Sequence, residues 1–129
     1  MRLLVSYHNL YNQRLMDYYR HPRCKGALEN PNFTSGVYNP LCGDRVVLQG
    51  LVDQGVVTHC LFQAEGCVVS QATASMLAEY ATDKTVDQIH ALKKEDLLNL
   101  IQLELGPTRL RCAFISLEAL QNGLNKLVV

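Results

Sequence analysis

Apolar residues recur along this chain in two periods, and the switch between them marks its elements. Near the start, Tyr7, Tyr11, Leu15 and Tyr18 lie on one face of a 3.6-residue repeat, which predicts a helix over Tyr7–Tyr19. Pro22 and Gly26, in "HPRCKG", break it. The next stretch, "ALENPNFTSGVYNP", reads as loop with a short strand near Val37. "RVVLQGLV" (Arg45–Val52) and "VVTHCLFQA" (Val56–Ala64) read as strands flanking Asp53-Gln54-Gly55, a tight turn whose glycine supplies a positive φ. After Gly66 the helical period takes over. A helix from Cys67 to about Tyr80 would bury Val69, Ala72, Met76 and Tyr80.

Thr85 is a plausible cap for a short helix in "TDKTVDQIHAL". Lys94–Leu103 reads as another helix, with Glu95 and Asp96 in the first turn, where they favour the dipole, and Gly106 and Pro107 as its stop. Ala113, Leu117, Leu120, Leu124 and Leu127 form a helical stripe over Leu110–Leu127. Gly123 inside it costs roughly 1 kcal/mol against alanine and marks a place for an early end. Strands first and helices after is an α+β layout with an antiparallel sheet.

Composition narrows the class. A chain of 129 residues, 48% hydrophobic, is one domain with a real core, taken here as residues 1–129. Twelve basic residues balance twelve acidic ones, so charge makes no case for nucleic acid or an anionic membrane as partner. No apolar run is long enough to cross a membrane, and Leu3–Val5 is too short for a signal peptide, so the expected compartment is the cytoplasm.

In a reducing compartment five cysteines at irregular spacing read as metal ligands, reactive thiols or small core residues before disulfides. Cys60, mid-strand beside Leu61 and Phe62, reads as core; Cys24, in a basic loop, as a surface thiol; His59 as a surface residue. His8, His21 and His90 have no metal-triad spacing. The remaining thiols are better placed. In "NPLCGD", Asn39 to Asp44, a thiol sits across one glycine from a carboxylate, and the two repel unless a cation lies between them. Cys67 opens a helix, and Cys112 is expected in the first turn of the last one, where helix N–H groups favour thiolate. Cys42, Asp44, Cys67 and Cys112 together make four donors, enough for a tetrahedral zinc. There is no C-x-x-C pair, and the competing reading is that the cysteines pack as small hydrophobes.

From about Leu10 to Leu124 the chain resembles the U-type iron–sulfur cluster assembly scaffolds: SufU, IscU and the N-terminal domain of NifU. "LYNQRLMDYYRHPRCKG" is similar to their first helix and loop, "NPLCGD" to the first-cysteine motif, "AEGCVVSQATASML" to the second, and "LRCAFISLEAL" to the third with its closing helix. The resemblance implies a small three-stranded antiparallel sheet packed by about five helices. It makes Cys42, Asp44, Cys67 and Cys112 the ligands of zinc or of a transient [2Fe–2S] cluster. Arg111 stands where IscU has a histidine, which points to the SufU side, and is a candidate to steady an anionic cluster or persulfide. "LGPTRLRC" keeps only Leu105 and Pro107 of the motif read by a dedicated chaperone, so chaperone binding lies outside what the resemblance implies.

The function expected on this basis is a scaffold, not an enzyme. It takes sulfur from a pyridoxal-phosphate cysteine desulfurase onto Cys42 or Cys112, builds a cluster and passes it to an apoprotein. The alternatives are a zinc-bound sulfurtransferase that builds no cluster, and a module whose zinc is structural.

Overall fold

A computed structural model describes residues 13–102 and 105–127. Helix α1 covers residues 13–20; the earlier part of the expected helix, with Tyr7 and Tyr11, lies outside the described residues, as does His8. Leu15 is buried and Tyr18 half-buried on the face that the pattern assigned them. Three strands follow: β1 (Phe33–Asn39), β2 (Asp44–Asp53) and β3 (Val56–Glu65), antiparallel in the order β1-β2-β3. Val46 and Leu48 of β2 and Val57, Cys60 and Phe62 of β3 face the core. The β2–β3 turn is Gln54-Gly55, both at positive φ (51° and 78°), a two-residue loop of the kind whose twist suits a hairpin.

β1 is longer than the expected short strand near Val37. It pairs with β2 along all seven residues, from Phe33↔Gly50 to Asn39↔Asp44. Its buried positions include Ser35 and Asn39, so polar residues occupy slots where an alternating apolar pattern would be sought.

The helices are α2 (Val68–Ala81), α3 (Val86–His90), α4 (Lys94–Ile101) and α5 (Pro107–Asn125). α2 packs on β3 and on α5, and α5 on β1 and β2, so the core lies between one face of the sheet and these two helices. Val69, Ala72 and Met76 of α2 are buried as expected, while Tyr80 is only half-buried, with the Lys84 ammonium 4.7 Å above its ring. α2 is buried on nearly every side, because Ala, Ser and Thr let the sheet and α5 approach closely. Thr85 caps α3, accepting the Gln88 N–H, while the Gln88 side chain accepts the Thr85 N–H.

α4 closes on Gln102 in the left-handed conformation, φ 62°; the expected last residue, Leu103, is outside the described residues. Gly106 and Pro107, expected to stop that helix, instead start the next. Gly106 is the N-cap of α5, and Pro107 opens it at a position where a missing N–H costs nothing. α5 therefore begins three residues before Leu110, and Cys112 falls in its second turn. α5 also runs through Gly123: a Cβ there would sit 2.6 Å from Phe33 Cδ1 and 3.0 Å from Ser35 Cβ. The glycine serves close packing of α5 on β1 and ends nothing. Among the described residues no helix is long and apolar enough to cross a membrane.

Candidate metal centre

Three chain segments meet at one end of the core. The first is the loop between β1 and β2. The Asn39 carbonyl accepts the Gly43 N–H at 2.8 Å, and Asn39 Oδ1 accepts the Leu41 N–H at 3.2 Å. This folds Pro40–Gly43 into a tight turn with a half-buried Cys42 on it. Leu41 and Tyr38 flank that turn with 74% and 61% of their surface exposed.

The second segment is the corner from β3 into α2. Cys67 is the N-cap of α2, its Sγ accepting the Ser70 N–H at 3.5 Å. Its own N–H donates to Asp44 Oδ1 at 2.8 Å, and its Sγ lies 3.7 Å from Asp44 Oδ2. Gly66 makes this approach possible. Its φ is +118°, and a Cβ would lie 2.8 Å from the Asp44 Cα, so any side chain would push the corner off the carboxylate. The third segment is the second turn of α5, which brings Cys112 in from the far side.

The donor atoms of Cys42, Asp44 and Cys112 all lie within 4.8 Å of one another, with Cys67 beside Asp44 as above. Asp44 is fully buried, and no basic side chain of the described residues lies within 4.0 Å of it. A buried carboxylate with hydrogen bonds but no opposite charge beside it is well suited to a cation. Cys112 is also buried, and burial first, then hydrogen bonding with Asp44, Cys67 and Cys42, pushes its thiol pKa up. That corrects the expectation of a Cys112 thiolate favoured at a helix N-terminus: the second turn offers no free N–H groups. A metal ion bound there would favour loss of that proton.

The donor set fits zinc. Thiolates at about 2.3 Å from a tetrahedral zinc stand roughly 3.8 Å apart, inside the spread of the Cys42, Asp44 and Cys112 donors, while Cys67 falls outside that group of three and would join it from its place beside Asp44. Soft sulfurs equally suit iron–sulfur clusters.

Arg109, which the motif reading passed over, lies beside these thiols. Its guanidinium pKa is raised first by the charge of Cys67 and then by hydrogen bonding with Cys112. The readable signal was its position one helical turn before Cys112. Arg111 lines a groove of about 620 Å³ on the other side of α5, with Lys93, Lys94, Phe114 and Glu118. Cys60 is buried, its pKa pushed up to about 12 by desolvation. Cys24 is half-buried, not a surface thiol. Its carbonyl accepts the Phe62 N–H at 2.9 Å, and burial raises its pKa. His21, His59 and His90 are exposed and stand apart from the donors.

Residues 10–128 match the NifU-like N-terminal domain family. The chain belongs to that family. Among relatives of this NifU-like domain, the zinc-dependent sulfurtransferase SufU of Bacillus subtilis is 33% identical over 134 residues, covering 91% of this chain and 90% of that protein. The iron–sulfur cluster assembly scaffold protein IscU of Escherichia coli K12 is 31% identical over 118 residues, covering 88% and 91%. A crystal structure assigned to the SUF-system scaffold of Fervidobacterium islandicum AW-1 superposes with a TM-score of 0.77 at 23% identity, covering 91% of this chain and 98% of that one. At that identity the match speaks for the fold: the expected three-stranded sheet with helices on one side is the fold of this NifU-like domain.

Proposed function

We propose that this NifU-like domain accepts sulfur from a cysteine desulfurase, assembles an iron–sulfur cluster on Cys42, Asp44, Cys67 and Cys112 as an external electron donor supplies the two electrons that reduce each persulfide sulfur to sulfide, and hands the cluster to an apoprotein. The observation that carries the reading is the convergence of three thiols on one buried carboxylate, Cys42 and Cys112 within 4.8 Å of it and Cys67 at 3.7 Å. Two relatives named for scaffolding and for sulfur transfer support it. Free thiols and balanced charge suit work in the reducing cytoplasm.

Sulfur reaches the chain by thiol–persulfide exchange. The Cys42 thiolate attacks the outer sulfur of the donor's cysteine persulfide. A new S–S bond forms on Cys42, the donor's S–S bond breaks, and the donor cysteine leaves as thiolate, with no net oxidation. Cys42 is the better acceptor because it sits half-exposed on a loop, whereas Cys112 is enclosed. Exposed Leu41 and Tyr38 give a donor apolar footing next to it. Zinc held by the same four residues would supply charge that keeps the thiols deprotonated. The cluster is cargo. One carboxylate among three thiolates makes the set exchangeable, because oxygen is the weaker ligand for soft metal.

A second reading, a zinc-bound sulfurtransferase that builds no cluster, uses the same geometry and is favoured by the SufU relative. Anaerobic reconstitution with ferrous iron and sulfide, run beside transfer of labelled sulfur from a desulfurase, separates the two. Cluster absorption together with sulfur acceptance is the expected result. Acceptance without any cluster band would leave the sulfurtransferase.

A further inference from the structure

Asn39 ends β1 directly opposite Asp44, the first residue of β2. Opposed residues of an antiparallel pair put their Cβ atoms about 4.5–5.5 Å apart on one face. Both side chains are buried, with 4% and 0% of their surface exposed. The two ends of the Asn39 amide differ. Oδ1 accepts the Leu41 N–H, which tells oxygen from nitrogen, while Nδ2 is buried with no hydrogen-bond partner among the described residues. Buried donors are nearly always paired, and an exception calls for a reason. Across the strand pair, Asp44 has acceptor sites to spare. Oδ1 takes the Cys67 N–H, the Cys67 sulfur lies 3.7 Å from Oδ2, and the Cys112 thiol also bonds the carboxylate, which with about four lone-pair sites can still accept another donor.

We propose that Asn39 is a positioning residue for Asp44: its Nδ2 donates to the Asp44 carboxylate when that carboxylate lets go of a bound metal. The inference rests on reading Cys42, Asp44, Cys67 and Cys112 as the metal donors. A carboxylate released inside a buried site needs a hydrogen-bond donor in place of the cation it has lost. The Cys67 N–H serves one oxygen already, and Asn39 holds a free donor on the same face. Asn39 therefore has two jobs from one side chain. Its oxygen shapes the Cys42 turn, and its nitrogen lowers the barrier for Asp44 to exchange.

The test measures release of zinc to a chromophoric chelator, and the d–d spectrum of the cobalt(II)-loaded form, in wild type, N39A, N39D, D44A and N39A/D44A. N39D keeps an oxygen for the Leu41 N–H and loses the donor but adds a negative charge, so it checks the turn, and its slower release counts for the proposal only when N39A, which adds no charge, is slowed as well. Both single variants at Asn39 are expected to release zinc roughly tenfold more slowly, about what one hydrogen bond to a charged acceptor is worth. The cobalt spectra should keep the wild-type pattern. N39A/D44A should match D44A, because the donor then has no carboxylate to serve. Wild-type release from N39A or N39D overturns the proposal, as does an N39A effect that survives in the D44A background. Failure of the wild-type protein to bind zinc or cobalt would overturn the donor reading itself, and is seen before any variant is compared.

Discussion

Asp44 carries the largest share of the chemistry for one side chain. It is a hard oxygen among soft sulfurs, buried, and it accepts the Cys67 backbone N–H with the thiols of Cys67 and Cys112 beside it. Asp44→Ala should leave the fold intact and lengthen the life of a bound cluster several-fold, followed as decay of its visible absorption under chelator; faster decay than wild type would remove the release role. Cys60 makes a different prediction, about pH. Its folded pKa, about 12, is raised above the unfolded value near 9.0. Between those values the unfolded chain loses the proton and the folded chain keeps it, so stability present below pH 9 falls as pH rises. Wild type should lose about 1.4 kcal/mol from this thiol at pH 10 relative to pH 8, and Cys60→Ala should lack that part of the slope in urea titrations. Of the proposed donors, Cys42, Asp44 and Cys67 stand beside a turn residue or a helix start that marks them, while Cys112, in the second turn of α5, is marked only by its resemblance to the third-cysteine motif. Arg109 was readable only through its spacing, one helical turn before Cys112, and Asn39 was not, since what matters about it is a neighbour across the strand pair.

The elements were readable where periodicity and burial agree and obscure where they part. β2, β3 and the face of α2 carry apolar residues at their buried positions, and their limits fall within a residue or two of expectation. β1 buries Ser35 and Asn39, so its pattern looked like loop. Gly106-Pro107 was ambiguous for a local reason: the same pair ends one helix or starts another, depending on which side has a free first turn. Gly123 shows how a local rule gives way to packing. Alanine would gain about 1 kcal/mol of helix propensity. The added methyl would meet the buried Phe33 ring, and overpacking of that sort costs about 1–3 kcal/mol. Gly123→Ala should therefore lower the urea midpoint, with Phe33→Leu in the same background restoring part of it. A raised midpoint would show that α5 can shift away from β1 at little cost.

Across the whole molecule the hydrophobic core and the donor cluster are neighbours but separate things. Leu48, Leu77, Met76 and Leu120 are buried between the sheet, α2 and α5, and none of them needs a metal to be so. Chelation should thus leave far-ultraviolet dichroism unchanged and lower Tm by only the binding linkage, RT ln(1 + [L]/Kd). Loss of the cooperative transition on chelation would instead make zinc the staple of the fold. The donors are also spread along the chain in a telling way. Cys42 and Asp44 precede most of the sheet, Cys67 opens α2, and Cys112 rides on the final helix. A chain emerging from the ribosome holds three of the four long before the last one exists. On the proposed reading, loading is then a late event, and a half-made copy lacks the last of the four donors with which to hold iron or zinc.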